Sequence, residues 1–198
     1  MTSMTIAIDL DNTLANSEYR FRRVALKKGI RVTDEDEDSY DFYKGIGLDK
    51  NTLDSLFMAA WSNPESIPAM TPIIGHITQK LKKLGYKISV ITANHLNTPE
   101  ELKNWLANNG IAYDEFMQVA DPLDKAGLAD ILIEDYGEVA KKQAELGKIA
   151  ILIKWPYNKD VANMTNKNIK IANDWNEIFE YLLELSKSDQ SKSLAKVR

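Results

Sequence analysis

The chain of 198 residues contains no cysteine. That excludes a disulfide framework, a cysteine-based zinc site and thiol catalysis. Two histidines, His76 and His95, are too few for a histidine-rich metal centre. Any bound metal is therefore expected to be a hard cation held by carboxylates. No apolar run approaches the length that spans a bilayer, and no basic N-terminal region precedes an apolar stretch. A soluble cytoplasmic protein without a membrane partner is the expectation. Basic residues are not in excess: 25 Lys and Arg stand against 29 Asp and Glu, a formal net charge of −4. No general basic field is offered to a nucleic-acid polymer, although a single nucleotide is not excluded as a ligand. What is present is 44% hydrophobic residues and 27% charged ones, enough for an ordered core. The length suits one domain, or a core domain with a small inserted lobe.

Residues 4–10, "MTIAIDL", are apolar at nearly every position, the pattern of a strand buried on both faces of a parallel sheet. A helix is expected from Asn16 or Ser17 to Lys28, stopped by Gly29, and another over 49–61. From Thr71 onward strands and helices alternate. "YKISVIT", "EFMQVA", "ADILIED", "KIAILIK" and "NIKIA" read as strands. Between them lie helices with Thr71 and Pro72 at one start, a Thr98–Glu101 capping box at the next and glycines at the ends. Asp174 and Glu177 suggest a further capping box. This alternation predicts a doubly wound α/β core with a mostly parallel sheet and helices on both faces. Residues 1–14 and 71–186 form that core in this reading. Residues 15–70, mostly helical, form an inserted cap, and the polar tail 187–198 is expected to be disordered.

In such sheets ligands bind beyond the carboxyl ends of the strands. The first strand ends in Asp9 and Asp11, and the second in Thr92, Ala93 and Asn94. "ADILIED" ends in Glu134 and Asp135, with Lys125 just before it. Asp9 and Asp11, two apart on an extended segment, face the same way. Their repulsion calls for a cation, and Mg²⁺ prefers oxygen ligands while keeping several waters. Asp9 would attack phosphorus to form an aspartyl-phosphate. Asp11 would protonate the leaving oxygen and then activate water. Thr92, Ala93, Asn94 and Lys125 would bind the phosphate, and Asp135 with Glu134 beside it would complete the metal's carboxylates. Of those two, Asp135 is favoured as the direct ligand.

In isolation "DLDNT" fits an Asx turn at a strand end as well as it fits catalysis. The four segments together, in order and spacing, resemble the haloacid dehalogenase superfamily. "IDLDNTL" matches its DxDxT motif, "VITAN" its second motif, Lys125 its third and "DILIEDYGE" its fourth. Within that superfamily "TPIIGHITQKLKKLGYKISVITAN", "ELKNWLANNGI", "DILIEDY" and "WPYN" are similar to the 5′(3′)-deoxyribonucleotidase (5′-nucleotidase type C) family. The chain departs from that family at Asn94, where Arg is frequent, and at Ile74, where Pro is. The resemblance implies a Mg²⁺-dependent phosphomonoester hydrolase with a small helical cap. It implies metal held by Asp9, Asp11 through its backbone carbonyl, and an acid of the fourth motif. A nucleoside monophosphate is the substrate expected from it. A sugar-phosphate phosphatase, a phosphomutase and a non-catalytic phosphate-ligand sensor are the alternatives, and a homodimer is allowed.

Phe42, Tyr43, Phe57 and Trp61 in the cap are candidates for stacking on a base; each, taken alone, fits the cap's own small core slightly better. Asp34, Asp36 and Asp38 have calcium-loop spacing, but Ser39 and Gly45 stand where such a loop needs Gly and Glu, so a solvated loop is the better reading. His95 sits close to the second motif, and Trp155 and Tyr157 follow a strand near the expected site.

Overall fold

A computed structural model of the chain describes residues 4–34 and 47–195, with side chains through residue 188. Six strands form one parallel sheet: β1 (Thr5–Ile8), β2 (Lys87–Thr92), β3 (Glu115–Gln118), β4 (Ile131–Glu134), β5 (Ile149–Ile153) and β6 (Ile169–Ala172). The spatial order is β3-β2-β1-β4-β5-β6. β1 is central, and the chain reverses its direction of growth between β1 and β4, the place where such sheets open a crevice.

The continuous apolar run in β1 is explained by its two faces. Ile6 and Ile8 join one large core with Leu81, Leu102, Trp105, Trp175, Ile178 and Leu182. Ala7 points the other way, into a cluster with Leu132 and Val139. The first face is covered by α3 (Ile74–Lys83), α4 (Pro99–Asn108) and α7 (Trp175–Ala195); the second by α5 (Gly137–Glu145). A short α6 (Lys159–Ala162) precedes β6. Complete burial of each isoleucine in β1 contributes about 1.5–3 kcal/mol. That packing fixes the strand end on which Asp9 sits, and ladder pairing reaches it: Asp9 N donates to Ile133 O at 3.0 Å.

Between β1 and β2 lie α1 (Ser17–Lys27) and α2 (Lys50–Trp61). Asn16 caps α1 by accepting from Tyr19 N, and Asp49 caps α2 by accepting from Thr52 N. The two helices share an apolar cluster of their own: Phe21, Val24, Ala25, Val32, Leu53, Leu56 and Ala60. Trp61, the last residue of α2, belongs to the main core instead.

Three expectations change. α3 begins at Ile74, and its cap, Ile73, makes no side-chain bond, so Thr71 serves only through its backbone carbonyl. The Thr98–Glu101 box is formed, but at α7 the partners shift by one: Asp174 accepts from Glu177 N, while Glu177 accepts from Asn173 N. The tail expected to be disordered from residue 187 is helical to Ala195. "SKSDQSKSLA" contains neither Pro nor Gly, so nothing in it stops a helix already anchored by the buried Trp175, Ile178 and Leu182.

Candidate active site

The crevice brings together the strand ends named by the sequence. Asp9 follows β1, Thr92 ends β2, and Glu134 and Asp135 end β4; all four side chains are buried. Lys125 ends a short 3₁₀ turn, Pro122–Lys125, whose first amides are capped by Asp121. Only 3% exposed, Lys125 reaches inward. Its Nζ lies 2.9 Å from Asp9 Oδ1 and donates to Glu134 Oε1 at 3.0 Å. The same ammonium is 2.8 Å from Glu134 Oε2, an ionic contact outside hydrogen-bond angles. Glu134 Oε1 also accepts from Tyr136 N at 3.2 Å. Glu134 Oε1 is thus taken by Lys125 and the Tyr136 amide, and Asp135 Oδ2 by Tyr157.

Asp9, Glu134 and Asp135 each present a carboxylate oxygen within 4.8 Å of the others. These three carboxylates surround one ammonium, that of Lys125, and Asp11 lines the same cavity. Burial works against the Lys125 charge, but Asp9 and Glu134 outweigh it and hold its pKa above the ordinary lysine range. Burial, then Asp9, raises Glu134 well above its ordinary value; Lys125 offsets only part. Asp135 is pushed up to about 7, by burial first and Asp9 second, against the Tyr157 hydrogen bond and Lys125. Asp11 rises to about 6 by burial and Asp9, opposed by hydrogen bonds from Ser17, Asn94 and Trp61. Such a cluster holds protons that a divalent cation would replace. The donor set is all oxygen, buried and anionic, and it fits Mg²⁺.

The loop after β1 is built to a tight pattern. Leu10 O accepts from the amides of Thr13, Leu14 and Ala15. Asn12 takes φ +52°, a left-handed conformation that asparagine tolerates better than most residues. Its side chain accepts from Ser17 Oγ and Glu18 N and donates to Tyr157 Oη. Tyr157 in turn donates to Asp135 Oδ2, so one phenol joins the first and fourth motifs. Three tryptophan indoles donate to three consecutive loop residues. Trp61 Nε1 reaches Asp11 Oδ1 at 2.9 Å, Trp155 Nε1 reaches Asn12 O at 3.0 Å, and Trp175 Nε1 reaches Thr13 O at 2.7 Å. In the sequence, Asn12 and this fence leave no signal beyond Asn12 inside "DLDNT" and the aromatic pair in "WPYN".

After β2, Thr92 Oγ1 accepts from Asn94 N at 3.0 Å, and Asn94 Nδ2 donates to Asp11 Oδ2 at 3.1 Å. His95 Nε2 donates to Val119 O at 2.8 Å. A cavity of about 610 Å³ opens over these groups. Asp9, Asp11, Thr92, Ala93, Asn94, Lys125, Glu134 and Asp135 line it together with Tyr157 and His95. Leu53, Phe57, Leu96 and Pro122 supply apolar lining. Phe57 stacks on Phe21 with centroids 4.5 Å apart. Trp61 also borders the cavity, but it is 2% exposed, so it offers almost no face for stacking. Phe42, Tyr43 and the acidic run beyond Asp34 lie outside the described residues.

No protein-family model matches the chain, and no curated protein matches its sequence. Solved structures do resemble it. A haloacid dehalogenase-like family hydrolase from Streptococcus pneumoniae is 17% identical with a TM-score of 0.63, covering 91% of this chain and 99% of that one. A β-phosphoglucomutase from Clostridium difficile is 16% identical with a TM-score of 0.53, covering 96% and 100%. A HAD-hydrolase from Bacillus subtilis bound to magnesium is 10% identical with a TM-score of 0.55, covering 92% and 99%. At these identities the likeness is one of fold: the chain has the α/β fold, with a six-stranded parallel sheet, of haloacid dehalogenase-like proteins.

Proposed function

We propose that this chain is a Mg²⁺-dependent phosphomonoester hydrolase that works through a phosphoaspartate on Asp9. The observation that carries the reading is the buried cluster in which Asp9 Oδ1 lies 2.9 Å from Lys125 Nζ, with Asp135 and Glu134 beside it. Asp9, Asp135 and the loop carbonyl of Asp11 would hold the metal, which would supply the charge neutralisation that lets a phosphate dianion approach carboxylates.

The protein's own groups do the rest. An Asp9 carboxylate oxygen attacks phosphorus, and the bond from phosphorus to the ester oxygen breaks. Asp11, whose carboxyl is raised above the ordinary range by burial and Asp9, gives its proton to that oxygen. The resulting Asp11 carboxylate then takes a proton from water. The water oxygen bonds to phosphorus, and the bond to Asp9 breaks. Lys125 and the Thr92–Asn94 turn hold phosphate oxygens and balance their charge.

The substrate class in this reading is a small phosphorylated metabolite. Sugar phosphates come first, because a neighbour of the same fold is a β-phosphoglucomutase. A second reading, nucleoside monophosphates, is favoured by the apolar lining from Leu53, Phe57, Leu96 and Pro122, which suits a flat base. A phosphate-release panel over both classes tests the proposal. We expect release that needs Mg²⁺ and is lost with a chelator, and the better class by kcat/KM decides between the two readings. An isomerised sugar phosphate without net phosphate release would mark a mutase. No release from any ester would sink the hydrolase reading.

A further inference from the structure

Asp11 is held at both oxygens, and one of its holders, Trp61, comes from the end of α2. Trp61 Nε1 donates to Oδ1 at 2.9 Å and Asn94 Nδ2 donates to Oδ2 at 3.1 Å. Neither donor is loose. Trp61 is packed into the main core, and its carbonyl accepts from Asn97 Nδ2 at 3.1 Å. Asn94 Oδ1 accepts from Leu96 N at 2.9 Å, and Gln118 Nε2 donates to the carbonyls of both Asn94 and Asn97. The end of α2, the loop after β2 and β3 are thus one hydrogen-bonded unit closed around the Asp11 carboxylate.

A carboxylate that moves a proton must keep its oxygen within hydrogen-bond reach of the leaving group. Asp11 would otherwise turn about its two side-chain torsions. Each clamp bond uses one lone pair and leaves the oxygen's other lone pair for a proton. We infer that Trp61 is a positioning residue: with Asn94 it clamps Asp11 in the orientation that serves the leaving oxygen, so the seating of α2 governs leaving-group protonation. This inference rests on the phosphatase reading of the site. It gives Trp61 a role distinct from stacking on a substrate.

Trp61→Phe keeps an apolar ring and removes the donor. With Mg²⁺ present, kcat/KM is measured for an alkyl phosphate and for 4-nitrophenyl phosphate. The alkyl oxygen needs a proton to leave; the nitrophenolate does not. We expect a fall of about 10- to 100-fold for the alkyl ester and less than about threefold for the aryl ester. Trp61→Leu also removes the donor and carries the same prediction if Trp61→Phe does not fold. An equal fall on both esters, or none, overturns the inference. Independently of turnover, the indole N–H resonance lost in Trp61→Phe should shift in Asp11→Asn, and an unmoved resonance overturns it too. Wild-type protein inactive on both esters would instead overturn the phosphatase reading and this inference with it, a result distinct from selective loss in the variants.

Discussion

Around Asp9, ionisable side chains are buried and held within ionic contact of one another; along α2, Leu53 and Phe57 bring apolar side chains to the same cavity. The two regions are stabilised by different physics. The acidic cluster is costly in isolation, because burial raises Asp11, Glu134 and Asp135 toward their neutral forms. It is retained on a strand whose packing is strong enough to bear it. The cap-side lining rests on ordinary burial within the α1–α2 cluster, where Phe21 and Phe57 stack. If the proposed function holds, chemistry belongs to the first region and selectivity to the second. Substitutions in the cluster should change rate, charge and metal dependence together, whereas those in α2 should change which ester is preferred.

The largest effect is expected at Asp9. Asp9→Asn should lower turnover by about 1,000-fold or more on every ester, since it removes the proposed nucleophile. Residual activity near wild type would break the comparison at once. Next is Lys125→Met, which leaves buried carboxylates without their ammonium. It should cost about 3–5 kcal/mol in denaturant unfolding without metal and lower kcat at least about 100-fold.

The third effect is a pH dependence. Asp11 rises from 3.8 to about 6 and Asp135 from 3.8 to about 7, so the folded protein keeps protons that the unfolded chain releases. Their contribution to stability is full below pH ~4 and is lost as pH rises through these folded values. For Asp11 alone this is on the order of 3 kcal/mol. A divalent cation favours the deprotonated forms, so the rise in melting temperature produced by Mg²⁺ should be small at pH ~5 and larger at pH ~7.5. A rise independent of pH would separate metal binding from these carboxylates. The smallest effect is Phe57→Ala. It should change KM about tenfold or less on the preferred ester, with kcat on a minimal phosphate ester little altered. Loss of the ring pair should cost the cap about 0.5–1.5 kcal/mol beyond the lost burial. A kcat loss matching that of Lys125→Met would erase the distinction between the two regions.

Much of the site was legible because a parallel sheet concentrates function at strand ends. The run "TIAID" followed by a second aspartate, and "ILIED" on another strand, specify neighbouring carboxylates once both strands lie in one sheet. The regular helices from 71 onward were legible through caps and glycines, as at Thr98–Glu101. The tie from Trp61 to Asp11 was not. It depends on how α2 rotates against the core, and helical spacing alone only put Trp61 on one face with Phe57. Tyr157 was likewise placed near the site by its strand, but the hydrogen bond it donates to Asp135 and the one it accepts from Asn12 are tertiary facts. The terminal stretch of α7 was not legible from composition, because polar residues without Pro or Gly continue an anchored helix as readily as they form a coil.

The central claim is covalent, and so is its most direct test. Wild-type protein turning over a phosphomonoester with Mg²⁺ is quenched in acid, and the acyl phosphate is reduced with borohydride to the corresponding alcohol. Peptide mass mapping then finds the reduced position. Reduction is expected at Asp9 alone, and not without substrate. Reduction at another carboxylate, or steady turnover with no reducible phosphoenzyme at any quench time, would contradict it.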